Sequence, residues 1–299
     1  MDETAAGDEF ERLRRDFGWR IEERMRQVDG VWSGGQAHTL SYPEQDRAEL
    51  ARIEERSYWF LHRNRIIWRL LERQGGTRTL WEIGSGNGFV AWSLQQAGLE
   101  VVAVEPGMEG ARNAAQRGVR RSIASTLEEL CLPDACLPAL GCFDVLEHLE
   151  SPASFLHECF RVLEPGGRVA VTVPASPALW SQADEDAGHF RRYTRRTLDA
   201  AMARAGFKRI QSGYMMMVLW LPLFALRALP YRLGRKRTKD ENRRIAIAQL
   251  APRPGPASAL ISTALALESA IGRWVPLPIG TSAAGLYYKA ADPAPLGSA

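Results

Sequence analysis

The most constraining feature of the sequence is the stretch from Thr79 to Glu105. An apolar run is followed by three glycines at alternate positions, Gly84, Gly86 and Gly88. Because glycine has no Cβ, such a stretch lets the backbone turn sharply and approach a ligand closely. A helical segment and a second apolar strand, which ends at the carboxylate of Glu105, come next. The stretch therefore predicts a strand–helix–strand unit that binds a nucleotide at its glycine turn.

The spacing of the glycines separates two kinds of nucleotide. A dinucleotide-binding turn has the pattern G-x-G-x-x-G/A, which requires a small third residue for close helix packing. Here Phe89 occupies that place and Gly88 comes one position early. S-adenosylmethionine (SAM) has no pyrophosphate and needs a tight glycine turn beside an acid that accepts from both ribose hydroxyls. The spacing favours SAM over NAD and gives Glu105 the ribose-binding role.

Two segments, Glu82-Ile-Gly-Ser-Gly-Asn-Gly88 and Val101-Val-Ala-Val-Glu-Pro-Gly107, resemble the first two motifs of class I SAM-dependent methyltransferases. Residues 144–148 resemble the loop after the fourth strand in ubiquinone- and menaquinone-biosynthesis-like members, and residues 184–194 resemble a segment of one bacterial subset. The resemblance covers about residues 79–213. It implies SAM as the cofactor, bound by Glu82, Gly84, Ser85, Gly86, Gly88, Glu105, Ser125 and Asp144. In the family an Asp or Asn at the end of the third strand holds the adenine, and Ser125 occupies that place here.

Strands and helices alternate through residue 218, which predicts an α/β fold with a doubly wound, mostly parallel sheet. The resemblance implies a Rossmann-like sheet of seven strands with the last antiparallel, N-terminal helices, and a helical insertion before the last strand. Within the fourth strand, Pro138 and Gly141 predict an edge position, a bulge or a short strand. We expect a loosely packed leader at 1–43, an N-terminal helix packing on the core at 44–78, the SAM-binding domain at 79–218 and 281–291, the insertion at 219–280, and a tail at 292–299. A long helix is expected to begin at Tyr42 and to reach Arg73.

Three side chains are candidates for catalysis: His148, His189 and Tyr193. Methyl transfer from a sulfonium is an in-line displacement that chiefly needs positioning, and a base is needed only when the acceptor is a hydroxyl. An imidazole titrates near neutral pH and suits that task, but each histidine could equally hold its loop by a hydrogen bond. We expect a small-molecule acceptor, with O-methylation favoured over C- or N-methylation.

Arg191 and Arg192 are candidates for binding an anionic group of the acceptor. Guanidinium groups bind carboxylates and phosphates through paired hydrogen bonds. The alternative is a salt bridge to Asp184, Glu185 or Asp186 that closes the loop. The sequence leaves both open.

The apolar run from Met215 to Leu226 is too short to span a bilayer, and Arg227 interrupts it. The segment from Trp220 to Tyr231 is expected either to roof the acceptor pocket or to contact a membrane surface. The basic stretch from Arg232 to Lys239 would suit anionic headgroups. Both alternatives indicate a hydrophobic or lipid-linked acceptor.

Composition narrows the class of protein. The net charge of +3 comes with scattered arginines, so no nucleic-acid partner is expected. The acidic N-terminus lacks an apolar targeting segment, which favours a cytoplasmic protein, with peripheral contact to the inner face of the membrane left open. The four cysteines lack C-x-x-C spacing and are expected to be free core thiols, with no metal site. Two other functions remain as alternatives: a non-catalytic SAM-binding protein and, less favoured, an NAD-type oxidoreductase.

Overall fold

The structure is a computed structural model that describes residues 9–35, 51–72, 79–235, 237–250, 256–271 and 277–291. Its centre is one sheet of nine strands in the order β1-β2-β5-β4-β3-β6-β7-β9-β8. The strands are β1 Arg26–Val28, β2 Val31–Ser33, β3 Thr79–Ile83, β4 Glu100–Glu105, β5 Arg121–Ala124, β6 Leu137–Phe143, β7 Leu163–Pro174, β8 Lys208–Met215 and β9 Ser282–Tyr288.

Helices flank the sheet. The α-helices are α1 Glu9–Phe17, α2 Tyr58–Glu72, α3 Phe89–Gln96, α4 Met108–Gln116, α5 Pro152–Val162, α6 Gln182–Asp186, α7 Arg195–Arg204, α8 Trp220–Leu223, α9 Leu229–Arg232, α10 Lys239–Leu250 and α11 Pro256–Ile271. Short 3-10 turns lie at Ile21–Glu23, Glu54–Arg56, Leu146–His148, Pro177–Leu179 and Met217–Leu219, and a π-helical turn at Phe224–Ala228 joins α8 to α9.

The seven strands from β5 to β8 form the predicted doubly wound sheet. Strands β5, β4, β3, β6 and β7 are parallel, and β9 lies antiparallel between β7 and β8. Central strands such as β3 are buried throughout, as expected for parallel strands covered by helices on both faces. In β6, the register shifts between Leu137 and Ala139, so Pro138 lies at a bulge in a strand paired on both sides. The predicted fold class is confirmed.

The sheet is larger than predicted because the N-terminal region joins it. Strand β2 pairs in parallel with β5, and β1 pairs with β2. Helix α1 buries Leu13 completely, and Trp19 donates through Nε1 to the carbonyl of Leu130 at 3.0 Å. The expectation of a loosely packed leader is therefore wrong for residues 9–35, because their apolar side chains complete the core beside the β5 edge.

The long helix expected from Tyr42 to Arg73 is interrupted. After the 3-10 turn at Glu54–Arg56, Ser57 is extended with ψ 124° and is fully buried, and α2 begins at Tyr58. The predicted start at Tyr42 lies outside the described residues, as does His38. The break turns α2 so that it packs against α11 of the insertion and against the glycine-turn helix α3.

The region between β8 and β9 is helical, as expected. Its apolar residues form a cluster with the end of β8, centred on Met215, Met216, Leu219 and Leu265. Tyr58 and Trp59 of α2 pack on the same cluster. No described helix combines the length and apolar character that a bilayer crossing requires.

The cysteines are free thiols in the described structure. Cys136, Cys142 and Cys159 are buried, as expected. Cys131 is exposed, so the prediction of a core thiol is wrong there. It lies in the connection between β5 and β6 with φ of +45°, a turn conformation that leaves its side chain at the surface.

Candidate active site

The glycine turn follows β3 at the carboxyl end of the parallel strands. The amides of Gly84 and Ser85 both donate to the carbonyl of Val104, at 2.8 and 3.1 Å. All three glycines have positive φ: +77° at Gly84, +57° at Gly86 and +70° at Gly88. A Cβ at Gly84 would lie 2.6 Å from Val145, and one at Gly88 would lie 2.4 Å from the Cβ of Ala114. At Gly86 nothing lies within 4 Å of that position, so this glycine borders open space.

The carboxylate of Glu105 sits at the centre of this turn. Its Oε2 accepts from the amide of Gly86 at 2.8 Å, and its Oε1 accepts from the amide of Gly107 at 3.0 Å. The side chain is buried. Each carboxylate oxygen has two lone pairs, so both oxygens can accept a further donor. The predicted ribose-binding acid is thus fixed in orientation at the mouth of the crevice.

Two buried polar atoms beside the turn lack a hydrogen-bond partner among the described residues, Glu82 Oε2 and Ser85 Oγ. Burial raises the pKa of Glu82 to about 8, with Glu105 among the neighbours that add to the shift. Leaving such an atom unsatisfied costs about 1–3 kcal/mol. SAM carries hydroxyl and ammonium donors, so these atoms, the acid of Glu105 and the open space at Gly86 fit that ligand.

The two candidate catalytic histidines meet at the turn after β6, the strand that pairs in parallel with β3. The ring centroids of His148 and His189 are 4.8 Å apart with the planes nearly perpendicular. His189 Nδ1 lies 3.0 Å from Asp184 Oδ1. The amide of Phe190 donates to the carbonyl of Glu147, which holds the polar loop against the turn after β6. Two segments about forty residues apart are thereby brought to one point.

Glu147, His148 and His189 could together hold a cation. Their ligand atoms lie within 4.8 Å of one another. Burial raises the pKa of Glu147 well above its ordinary value, and Asp144 adds to the effect. Its Oε2 is buried and without a partner among the described residues. The expectation of no metal site stays a prediction.

Asp184 organises the polar loop. It accepts from the amide and hydroxyl of Ser181, at 2.9 and 3.2 Å, and from Nε of Arg192 at 2.7 Å. Burial favours the neutral acid, but the hydrogen bond from His189 and the charge of Arg192 outweigh it and lower the pKa of Asp184. Arg192 also donates to the carbonyl of Ala175 at 3.1 Å. The salt bridge that the sequence left open is therefore formed by Arg192.

The other predicted residues of the loop are also held by protein groups. Arg191 donates to the carbonyl of Glu150 at 2.6 Å. Tyr193 is 4% exposed within the main apolar cluster, and its hydroxyl donates to the carbonyl of Leu146 at 3.3 Å. The assignment of Tyr193 as a catalytic side chain stays a prediction.

Comparisons with known proteins match the central part of the chain. A family described as a methyltransferase domain matches residues 81–171. A probable S-adenosylmethionine-dependent methyltransferase of Mycolicibacterium smegmatis is 33% identical over 123 residues, covering 41% of this chain and 48% of that protein. A ubiquinone biosynthesis O-methyltransferase of Klebsiella pneumoniae is 30% identical over 146 residues, covering 42% of this chain and 60% of that protein.

Residues 81–171 form a class I SAM-dependent methyltransferase domain. The cofactor of this domain is SAM, which agrees with the buried acid and the partnerless polar atoms beside the glycine turn. The chain spans about half the length of the probable S-adenosylmethionine-dependent methyltransferases that it matches.

Solved structures show the same fold at low identity. A chain in the complex of the Haloferax volcanii Trm112 methyltransferase activator with a methyltransferase has a TM-score of 0.52 at 13% identity, covering 83% of this chain and 95% of that chain. The [4+2]-cyclase SpnF has a TM-score of 0.50 at 19% identity, covering 94% of both chains. At these identities the likeness shows the fold alone.

Ser125 and Asp144 lie beside the crevice of the methyltransferase domain. Ser125 is buried, its amide donates to the carbonyl of Glu105 at 3.2 Å, and its hydroxyl donates to the carbonyl of Thr126 at 3.0 Å. Asp144 has a positive φ of +58°, and its carboxylate accepts from Arg63 at 2.6 Å and from the hydroxyl of Thr172 at 3.2 Å. Their predicted contacts with SAM remain predictions.

Arg63 is the partner of a predicted site residue, Asp144, and the sequence reasoning missed it. It reaches Asp144 from α2, with its guanidinium 5.0 Å from the ring of Trp59 and 5.3 Å from that of Phe60. The signal was present: a cation three to four positions after an aromatic pair lies on the same face of a helix. Its partner could not be identified, since Asp144 is 81 residues away.

A second network fixes the glycine turn from the N-terminal side. Arg117 forms a buried ion pair with Glu54 at 2.6 Å. Glu54 also accepts from the side-chain amide of Asn87 at 3.2 Å, and Asn87 accepts from Asn113 at 3.0 Å. Residue 87 lies between two of the turn glycines, so this network ties the SAM-binding turn to the segment before α2.

Proposed function

We propose that the protein transfers the methyl group of SAM to a small-molecule acceptor that is hydrophobic or lipid-linked, with O-methylation favoured. One observation carries the proposal: the glycine turn with its buried acid follows β3, and the histidine pair lies at the turn after β6, the strand that pairs in parallel with β3. The ubiquinone biosynthesis O-methyltransferases that match the chain support the preference for oxygen. The proposal concerns the whole chain, of which the methyltransferase domain is one part.

The chain's own residues would bind and orient the cofactor. Glu105 accepts from ribose hydroxyls while the amides of Gly86 and Gly107 keep its carboxylate in place. Glu82 and Ser85 offer buried polar atoms that have no hydrogen-bond partner among the described residues. Bound SAM supplies a methyl group on a sulfonium, which is ready for in-line displacement. The protein's remaining task is to place the acceptor and exclude water.

His189 is the better placed of the two candidate bases. Its Nδ1 lies 3.0 Å from the carboxylate of Asp184. Because an ionised carboxylate can only accept, the ring proton of a neutral His189 lies on Nδ1, and Nε2 keeps its lone pair. A carboxylate on the far side of the ring also stabilises the imidazolium that forms when a proton is taken. This arrangement supports deprotonation of a hydroxyl acceptor during the attack.

The insertion supports an apolar acceptor. Its first helical segment exposes Leu221, Leu226, Leu229 and Leu233, with Leu221 67% and Leu233 68% exposed. The same segment packs on the polar loop, where Arg232 donates to the carbonyl of Ala178 at 2.9 Å. Apolar surface beside the loop suits an acceptor with an apolar part, or contact with the membrane that contains one. We extend the proposal to peripheral membrane contact through this segment.

The cofactor assignment is tested by Glu105→Ala. Losing two charge-assisted hydrogen bonds, each worth roughly 1.5–3 kcal/mol, should weaken SAM binding at least tenfold in titration calorimetry. Glu100→Ala at the opposite end of β4 is the matched control and should leave SAM affinity unchanged. Equal affinity in both variants, or tight NAD binding by the unaltered protein, would contradict the assignment.

The reaction itself is tested with methyl-labelled SAM and extracted acceptor pools. We expect the label to appear in the organic phase of a lipid extract, because the proposed acceptor is apolar. Label only in the aqueous fraction would contradict the apolar acceptor, and SAM binding without label transfer to any pool would favour the non-catalytic alternative.

A further inference from the structure

A cleft outside the SAM crevice lies between α6 of the polar loop and the insertion. The cleft is shallow and open to solvent. Its lining residues are Ser181, Gln182, Ala183, Arg227, Pro230, Tyr231, Arg235, Arg237 and Asn242. Three of these are arginines and most of the others carry hydrogen-bond donors. The cleft is therefore rich in the groups that bind oxyanions.

The charge of Arg227 is poorly compensated. Its Nε donates to Gln249 Oε1 at 2.7 Å, and its Nη2 donates to the same neutral oxygen. Among the described residues, no salt bridge is formed by Arg227, Arg235 or Arg237. Burial lowers the pKa of Arg227, the charges of Arg192 and Arg237 lower it further, and the charge of Asp184 offsets only part of this effect. A half-buried cation that faces other cations is stabilised by an anion.

The carboxylates around the cleft do not supply that anion. Asp184 is saturated by Ser181, His189 and Arg192. Glu185 accepts from the hydroxyl of Tyr231, and Asp186 accepts from the side-chain amide of Asn242. Glu241, whose carboxylate is near Arg237, accepts from the amide of Thr238 at 3.0 Å. The rim carboxylates are thus engaged with neutral donors, and among the described residues none of them forms a salt bridge with the three arginines of the cleft.

We propose that this cleft binds a phosphate-type oxyanion, either a free phosphate group or the headgroup of a phospholipid. Arg235 and Arg237 are exposed and can turn towards the ligand, while Arg227 supplies a fixed charge at the inner wall. The cleft already joins two segments, because Gln182 accepts from the amide of Arg237 at 2.9 Å and donates to its carbonyl at 2.6 Å. An anion bound here would strengthen the contact of the polar loop with the insertion.

The test uses the full chain and inorganic phosphate in titration calorimetry at constant ionic strength. The unaltered protein should bind phosphate with millimolar or tighter affinity, and the double variant Arg235→Gln/Arg237→Gln should bind at least tenfold more weakly. Both positions are exposed, so the variant is expected to fold, and unchanged SAM binding checks this. Arg204→Gln, an exposed position on α7 outside the cleft, is the matched control and should bind phosphate normally.

Vesicles distinguish the two sources of the oxyanion. The protein is sedimented with pure phosphatidylcholine vesicles and with phosphatidylcholine vesicles that contain phosphatidic acid. Binding only to the vesicles with phosphatidic acid, together with loss of that binding in the double variant, would assign a lipid headgroup. Phosphate binding without vesicle binding would assign a free phosphate group. Binding of neither probe, or equal binding by the double variant and the unaltered protein, would overturn the proposal. SAM binding is independent of this result, so failure here leaves the methyltransferase assignment standing.

Discussion

At the scale of single residues, the three turn glycines have different tasks although they look alike in sequence. Gly84 and Gly88 have no room for a Cβ, because Val145 and Ala114 pack against them. Gly86 has a positive φ as well, but the place of its missing Cβ is open. Packing thus requires glycine at positions 84 and 88. At position 86 we expect glycine to be required by the approach of the ligand.

Substituting Gly86 and Gly88 by alanine should separate these tasks. Gly86→Ala places a residue in the left-handed region at a cost of about 1–2 kcal/mol, so the protein should fold while its Cβ intrudes on the SAM crevice and weakens SAM binding. Gly88→Ala should instead reduce the melting temperature much more, because the Cβ of Ala114 would lie 2.4 Å away. Thermal unfolding and SAM calorimetry on both variants check this. Equal losses of stability in the two variants would contradict it.

The buried carboxyl of Glu82 should make stability depend on pH. Burial raises its pKa to about 8 from an ordinary 4.5. Between these values the folded protein keeps a proton that the unfolded chain has lost, so this group's contribution is fully present below about pH 4.5 and is lost as pH rises through about 8. The slope is roughly −1.4 kcal/mol per pH unit in that window.

Glu82→Gln should remove this contribution to the pH dependence. Urea unfolding at several pH values between 5 and 8 should show a flatter profile for the variant than for the unaltered protein. The exposed Glu11→Gln variant serves as the control and should keep the original slope. A Glu82→Gln profile that parallels the unaltered protein's would show that the carboxyl is ionised in the folded state.

At the scale of elements, the polar loop between β7 and α7 is ordered by its own charges. Asp184 caps α6 through Ser181 and holds both His189 and Arg192. The loop meets the turn after β6 where His148 lies. One buried carboxylate thereby shapes the loop and orients its histidine.

Alanine variants of the two histidines test which one acts as a base. If His189 is the base, His189→Ala should lower kcat by about 10²–10⁴-fold, with little change in SAM affinity, and Asp184→Asn should lower it by less. His148→Ala is the comparison within the same ring pair. The measurement is the pH–rate profile with the labelled acceptor. Full activity of both histidine variants would show that neither is a base and that catalysis is positional.

At the scale of the whole molecule, the N-terminal region belongs to the core. Leu13 is fully buried in the main apolar cluster, and Trp81 of β3 donates through Nε1 to Glu9 of α1 at 3.1 Å. Arg12 donates to the carbonyl of Cys136 at 2.6 Å. Residues 9–35 thus close the apolar layer on one face of the sheet.

Leu13→Ala should therefore destabilise the protein by about 2–5 kcal/mol, as expected for a large cavity in a core. Phe17→Ala on the same helix is the control, because Phe17 is 39% exposed and its loss should cost within about 1 kcal/mol. Chemical denaturation of both variants gives the comparison. Equal, small effects would show that α1 adds little to the stability of the sheet.

The sequence by itself determined the features that depend on neighbours along the chain. Alternate glycines after an apolar strand and an acid at the end of the next strand predicted the glycine turn and the buried acid beside it, because turn geometry and strand ends are local properties. The order of strands and helices determined the doubly wound sheet, since parallel strands need crossover helices. Only the tertiary structure decided which distant groups meet: β2 on β5, Arg63 on Asp144, and His148 beside His189. Such contacts depend on how the helices and loops pack as a whole, and no local spacing encodes that.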